Sequence, residues 1–552
     1  MTCSKLFSGD LPELINEVIQ YFRYDYKTLY SCILVNRLWC RLAIPLLWED
    51  PFLYKVPKNH HIVEIILRNL DDDGKTKLNE YMIYNDSFPS NTLFNYPSFI
   101  QCLNTSKVIH TVLEWVRQPS SYFVRNKNLL DSQISNFKKL ICKSLFLIFI
   151  KNEINLYSFE IILNYFGVKY FDEIFELILQ NPNFISKIKN FKFDVFVLTK
   201  NITKFLEFLH FNCKSISSVY FRFLPRYHSN HNLTIEKRLS QIINSQENLR
   251  KVSFVKSYLS LYYPLSSLKH PNCSNTLNTI IFYMVDFNNI TILDEVFNQL
   301  NVLESIHIIC CDYLNSKFIQ QINNISKPFK LKSLFLHSYY NYNIKSLKSL
   351  IKKFGDYLEN FGIEGNSNKL LPSIIKYCSK INYLDRIWLD NQNTHLLFVL
   401  IKNITQNLNY LTIDIDDFHD DDYDKDHFSS IVLRNLGQIL PFKLEYLHLR
   451  LIFNASDLEK FLKNSQNTFI KKLLIYNFIK NNQNENIFPY MEEYIMKKKR
   501  VKYLAILEFF NGNSNDLFYL KDKVKEFQLY DIQILDYYSL IIHNYNYVVE
   551  TY

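Results

Sequence analysis

An apolar-x-x-apolar-x-apolar pattern returns along the chain from residue 188 at a nearly constant interval, and that interval limits the folds open to it. It runs through Ile188/Phe191/Phe193, Ile216/Val219/Phe221, Leu249/Val252/Phe254, Leu277/Ile280/Phe282 and Leu303/Ile306/Ile308. It continues through Leu331/Leu334/Leu336, Leu358/Phe361/Ile363, Leu384/Ile387/Leu389 and Leu408/Leu411/Ile413. Leu444/Leu447/Leu449, Ile470/Leu473/Ile475, Val501/Leu504/Ile506 and Val524/Phe527/Leu529 complete it. First positions lie 23 to 36 residues apart, with a mean of 28. One triplet means little in a chain that is 48% hydrophobic; the shared register carries the information.

The intervals between triplets read as helices. Leu347, Leu350, Ile351 and Phe354 form a stripe at helical spacing, as do Ile235, Leu239, Ile242 and Ile243. Thr291 to Asp294 and Ser456 to Glu459 have capping-box form, each placed to open such a helix. A short strand and a helix cannot bury their apolar faces alone, but stacked neighbours can. This is the arithmetic of a leucine-rich-repeat solenoid, an α/β fold, and the array resembles the ribonuclease-inhibitor class of long repeats. The Asn or Cys expected three residues after the last apolar position occurs at Cys311 and Asn366 but in few other units, so the repeats are irregular. Leu334, Leu411, Leu447 and Leu473 are expected in one continuous core. By the two-residue alternation of a strand, residues between the apolar ones face the concave side. Those positions give Phe335, His337, Trp388, Asp390, Tyr410, Tyr446, His448, Arg450 and Tyr476 as the expected contacts to an unknown protein substrate. Aromatic residues and arginine are the types that most often carry binding energy.

The first fifty residues read differently. Asp10 is a good helix cap and Pro12 sits harmlessly in the first turn. Leu11, Leu14, Ile15, Val18, Ile19 and Phe22 follow as one stripe. Thr28 can open a second helix carrying Leu29, Cys32, Val35, Trp39 and Leu42, which Pro45 should end. So many large apolar groups on so small a unit point either to a surface completed by a partner or to a cap for the remaining chain.

Leu11-Pro12-Glu13-Leu14-Ile15, Val18-Ile19, Tyr21-Phe22, Leu29, Val35-Asn36-Arg37-Leu38-Trp39 and Leu47-Trp48 resemble the F-box pattern in order and spacing. The stretch from Leu34 to Phe52 is also similar to a large fungal F-box family. The resemblance covers about a tenth of the chain. It implies docking on a Skp-family adaptor and, through it, on a cullin scaffold. Leu11, Pro12, Leu14, Ile15, Val18, Ile19, Val35 and Trp39 would then be adaptor-facing or motif-core residues. Tyr24-Asp25-Tyr26 departs from the Asp-Leu pair that many F-boxes carry there.

The expected organisation is an F-box over 1–52, a helical spacer or repeat cap over 53–185 and the solenoid over 186–552. In the spacer, 60–70, 108–116, 138–150 and 171–180 read as helices. Only eight glycines occur, which disfavours glycine-rich phosphate loops. A net charge of +9 is spread over 552 residues and marks no nucleic-acid-binding face. No leader is evident at the start, and Leu140 to Ile150 is too short for a membrane span and is interrupted by Lys143. The scattered cysteines, without a C-x-x-C pair, read as reduced thiols in a cytoplasmic or nuclear protein. No phosphate-loop, zinc-protease or nucleophile-elbow motif is present, and no metal or cofactor is expected. His60, His61 and Glu64 read as a surface helix. The acidic run from Asp414 to His427 reads as a solvated insertion, or as a contact for a cation or a basic partner. Lys497 to Arg500 reads as a helix end, with nuclear import as the functional alternative. The expectation is a non-catalytic substrate-recognition subunit of a Skp–cullin–F-box ubiquitin ligase. The alternative is a repeat-based binding or inhibitor protein attached to no ligase.

Overall fold

The computed structural model describes residues 12–53, 61–81, 92–117, 131–199, 201–224, 230–257, 259–327, 329–337, 342–363, 369–387, 394–414, 425–479, 487–510 and 513–552. They form two compact units, Met1–Leu277 with Gln299–Val302, and Asn278–Asn298 with Leu303–Tyr552.

The first unit opens with three helices, Pro12–Tyr21, Tyr26–Cys32 and Arg37–Leu47. Sequence reading merged the last two. Asn36 separates them, because its side-chain oxygen accepts from the Trp39 amide at 2.9 Å and caps the third helix. The second is capped by Asp25, not Thr28: the carboxylate accepts from both the amide and the hydroxyl of Thr28, at 3.1 and 2.7 Å. Pro45 does not end its helix. Ala43, Ile44, Leu46 and Leu47 are all buried, and that packing carries the last turn past the missing N–H.

Behind these helices run five parallel strands: β1 (Cys102–Asn104), β2 (Ser158–Leu163), β3 (Asn190–Val195), β4 (Ser218–Phe223) and β5 (Lys251–Ser257). Leu103, Phe159, Phe191, Val219 and Val252 align across them as one buried column. The helices expected between 53 and 185 are present as His61–Leu67, Thr105–Arg117, Asp131–Lys151 and Val168–Leu179. That stretch is not purely helical, however. It also supplies β1 and β2, so the sheet begins well before residue 186. Ser158–Leu163 alternates buried and half-buried positions, and Leu156/Phe159/Ile161 is a triplet of the same form, 32 residues before Ile188/Phe191/Phe193, that sequence reading passed over.

The second unit carries β6 (Thr279–Tyr283), β7 (Ser305–Ile309), β8 (Lys330–Leu336), β9 (Asn360–Ile363), β10 (Tyr383–Ile387), β11 (Tyr410–Asp414), β12 (Lys443–Leu451), β13 (Phe469–Ile479) and β14 (Val501–Phe510), parallel throughout. Leu334, Phe361, Leu384, Leu411, Leu447, Leu473 and Leu504 stand in one aligned column, each essentially without solvent contact. The four leucines expected in a continuous core are members of it. The helical stripe from Leu347 to Phe354 is buried on the helix Ile344–Phe354. The two helices expected to open on capping boxes start differently. The first amide of Leu293–Gln299 donates to the Gln321 side chain of the following repeat at 2.9 Å, and Asn454, not Ser456, caps Ala455–Asn464.

The thirteenth triplet is a correction. Val524 and Phe527 lie in the helix Lys521–Gln528, and Leu529 follows it, exposed. An i, i+3 apolar pair fits a helix as well as it fits the start of the repeat pattern. Beside β14 stand β15 (Asn513–Asp516), antiparallel, and β16 (Gln533–Ile534), which aligns Ile534 with Leu504. Among the described residues no helix is long and apolar enough to cross a membrane.

Candidate protein-binding sites

The three-helix unit sorts its apolar side chains into two sets. Ile15, Ile19, Leu29, Cys32, Ala43, Leu46 and Leu47 close its core, with Trp39 packed partly buried against them. Leu14, Val18, Tyr21 and Val35 stand exposed, and Leu34 keeps 84% of its surface in solvent. Pro12 is exposed at the helix start, and Leu11 lies outside the described residues. Of the residues singled out from sequence, Ile15 and Ile19 are therefore interior, while Leu14, Val18 and Val35 are presented outward. The unit is joined firmly to β1. Arg23 donates twice to Glu49, at 2.6 and 2.7 Å, and the Glu49 carbonyl accepts from the amides of Gln101 and Cys102, each at 3.0 Å.

In the second unit, the strands alternate between two faces. Phe282, Ile308 and Leu334 meet the repeat helices, whereas Ile281, Ile309 and Phe335 turn to the opposite face. The residues chosen as substrate contacts are on that face. Phe335, Tyr446, His448 and Tyr476 are buried there, and Tyr410, Arg450 and His337 are half-buried. Trp388 and Asp390 lie outside the described residues.

What buries them is the chain itself. Residues 535–552, with the short helices Tyr537–Leu540 and Asn544–Thr551, return along this face. The Tyr537 hydroxyl lies 2.7 Å from Nε2 of His448, and its ring also packs against Tyr476. The amide of Ile542 donates to the Tyr446 hydroxyl. Asn544 is held at both ends of its carboxamide: its nitrogen donates to Asp385 at 2.8 Å and its oxygen accepts from Tyr383 at 2.9 Å. Tyr545 stacks on Tyr283, and Tyr547 meets Tyr383 and Tyr410. Tyr552 packs on His307, accepts from Asn360 and donates to Glu359. Burial, assisted by the nearby Arg386 and Arg450, pushes the His448 imidazole down to about 3. Burial likewise raises the Asp385 carboxyl, against the pull of Arg386.

Sequence reading missed Tyr383, Asp385 and Asn360 on the strands and the whole returning segment. The available signal was five tyrosines between 537 and 552, in a stretch with no triplet of its own.

The remaining motifs are structural where they can be seen. His61 pairs with Glu64 at 2.8 Å, and Glu64 also accepts from Trp115 at 2.9 Å. Asp414 pairs with Arg450 at 3.3 Å, while residues 415–424 of the acidic run lie outside the described residues. Arg500 is buried and caps Ala455–Asn464 by donating to the carbonyls of Leu462 and Ser465, so it is no part of a surface basic cluster. Among the described residues no group of three or more His, Cys, Asp or Glu side chains is placed to hold a metal ion.

No family model matches the chain, and no curated protein does. Among solved structures, the chain is similar to the leucine-rich-repeat-containing protein LegL7 from Legionella pneumophila, at 9% identity and a TM-score of 0.27, over 64% of this chain and 93% of that one. At that score the assignment rests on the aligned strand columns and the helix packing already described. The chain is a leucine-rich-repeat-like α/β protein. Its N-terminal helical region precedes a parallel sheet in which repeats supply one strand and one helix each. Such a fold presents side chains from successive strands about 4.7–4.9 Å apart, a spacing suited to binding protein surfaces.

Proposed function

We propose that this repeat protein is the substrate-recognition subunit of a Skp–cullin–F-box ubiquitin ligase. The three-helix unit would dock the adaptor and the repeats would bind the protein to be modified. The chain itself is then non-catalytic, and the transfer chemistry belongs to other subunits.

One observation carries the reading. The three-helix unit completes its own core with one set of apolar residues and still leaves Leu14, Val18, Leu34 and Val35 in solvent. Several large apolar groups left in water on so small a unit have a physical reason when a partner covers them. Their positions coincide with the stretch that resembles an F-box.

The test is capture of a Skp-family adaptor by the full chain. Wild type is expected to retain the adaptor. Leu14→Asp with Val35→Asp, both on exposed positions, is expected to release it while leaving the thermal transition in place. Equal adaptor capture by the wild type and the double variant, or no capture by either, would remove the ligase reading.

A further inference from the structure

The contact between residues 541–552 and the sheet is built unlike the rest of the molecule. Between strands and helices the interior is leucine, isoleucine and phenylalanine. Under the returning segment, tyrosine rings and side-chain hydrogen bonds surround a small apolar contact of Ile281, Ile309 and Phe335 with Val548, which alone in 541–552 is fully buried. Tyrosine and asparagine are characteristic of recognition surfaces, where a rigid amphipathic ring and an adaptable amide meet a partner. The fit is also incomplete. A cavity of about 210 Å³ remains beneath 542–545, walled on the sheet side by Cys310, His337, Gly362, Asp385 and Arg386.

The Asn544 contact is selective. Its carboxamide gives a donor to the Asp385 carboxyl and an acceptor to the Tyr383 hydroxyl, from two atoms at the two corners of one planar group. An aspartate there would set two carboxyl groups against each other.

We propose that the face of β6–β14 opposite the repeat helices is a peptide-recognition groove, and that residues 535–552 are its occupant in cis. The ligand in trans is a protein segment of the same chemistry: an asparagine read by Tyr383 and Asp385, followed three residues on by a tyrosine that packs on Tyr383 and Tyr410. It binds by displacing 541–552. This deepens the reading of the repeats as the substrate-binding part, but it is independent of the adaptor reading, and its test contains no adaptor.

The probe is a fluorescent peptide of residues 536–552, offered to the full chain. The native chain is expected to bind it weakly, because the groove is filled. Asn544→Asp with Val548→Asp in the full chain should free the groove and tighten peptide binding by about tenfold or more. A second peptide with Asp at the Asn544 position should lose about tenfold on the opened chain. An opened chain that keeps its native circular dichroism and binds neither peptide, or binds both alike, overturns the proposal. If that variant does not fold, hydrogen exchange on the native chain decides. Amides of 544–552 that open well before those of β11–β14 support a displaceable occupant. Equal protection makes the segment an integral part of the core and ends the proposal.

Discussion

Nε2 of His448 lies 2.7 Å from the hydroxyl of Tyr537, 89 residues further along the chain. The pair ties a strand of the sheet to the segment that covers it, and it makes His448 a reporter of that cover. Burial holds its imidazole at about 3, against an ordinary 6.5, with Arg386 and Arg450 also disfavouring the charged form. Above pH 6.5 the group is neutral in both folded and unfolded chains. Below it, the unfolded chain takes up a proton that the folded chain refuses. Stability therefore falls as pH drops from 6.5 toward 3, by up to about 1.4 kcal/mol per pH unit. Urea midpoints of the wild type and His448→Gln, measured from pH 7 to 5, should diverge as the pH falls. Asp385, whose carboxyl is raised by burial, contributes oppositely and equally to both chains, so it cancels in the difference. Parallel curves would mean that His448 is not held neutral.

Leu447 sits between Leu411 and Leu473 in the aligned column, with no exposed surface. Leu447→Ala removes a side chain that neighbours on both sides cannot replace, and a loss of about 2–5 kcal/mol is expected. Phe442→Ser, 80% exposed in the same repeat, should change stability by less than about 0.5 kcal/mol. Denaturant titration of the two variants compares them directly.

Arg500 donates into the carbonyl end of the helix Ala455–Asn464. Arg500→Met keeps most of the volume and leaves those buried carbonyls without a charged donor. A loss of about 2–3 kcal/mol in the urea transition is expected. A change indistinguishable from zero would show that the carbonyls find other partners.

Gly355 allows two helical segments to approach. A Cβ there would stand 2.6 Å from the carbonyl oxygen of Tyr377 and 2.8 Å from its Cβ. Neither backbone atom can swing aside, so Gly355→Ala should cost about 1–3 kcal/mol through displacement of Leu371–Tyr377. The melting temperature measures it, and an unchanged value would place the helix further away than this contact requires.

The returning segment explains why this face was harder to read than the fold. The alternation along β8 and β12 placed Phe335, Tyr446 and His448 on the side of the sheet away from the repeat helices, where they lie. Nothing in that alternation says whether a face meets water, a partner or the chain's own later residues. Tyr383 and Asp385 went unnoticed because the triplet Leu384/Ile387/Leu389 directs attention to the residues after Leu384. A register shift between Asp385 and Ile387 lies in that same strand. In the three-helix unit the stripe was legible, but its division into interior Ile15 and exterior Leu14 was not, because both occupy one amphipathic arc.

By itself the sequence determined the repeat. A period of 28, helical stripes between strand triplets and a column of leucines leave one economical way to bury the apolar residues, and it is local enough to be visible in spacing. Tertiary structure alone decided what covers the face opposite the repeat helices, where β1 joins the sheet, and how Arg500 is used. These are contacts between residues far apart in the chain, such as Asn544 with Asp385, 159 residues away. No periodicity encodes such a pair, because its partners meet only after the repeats between them have stacked.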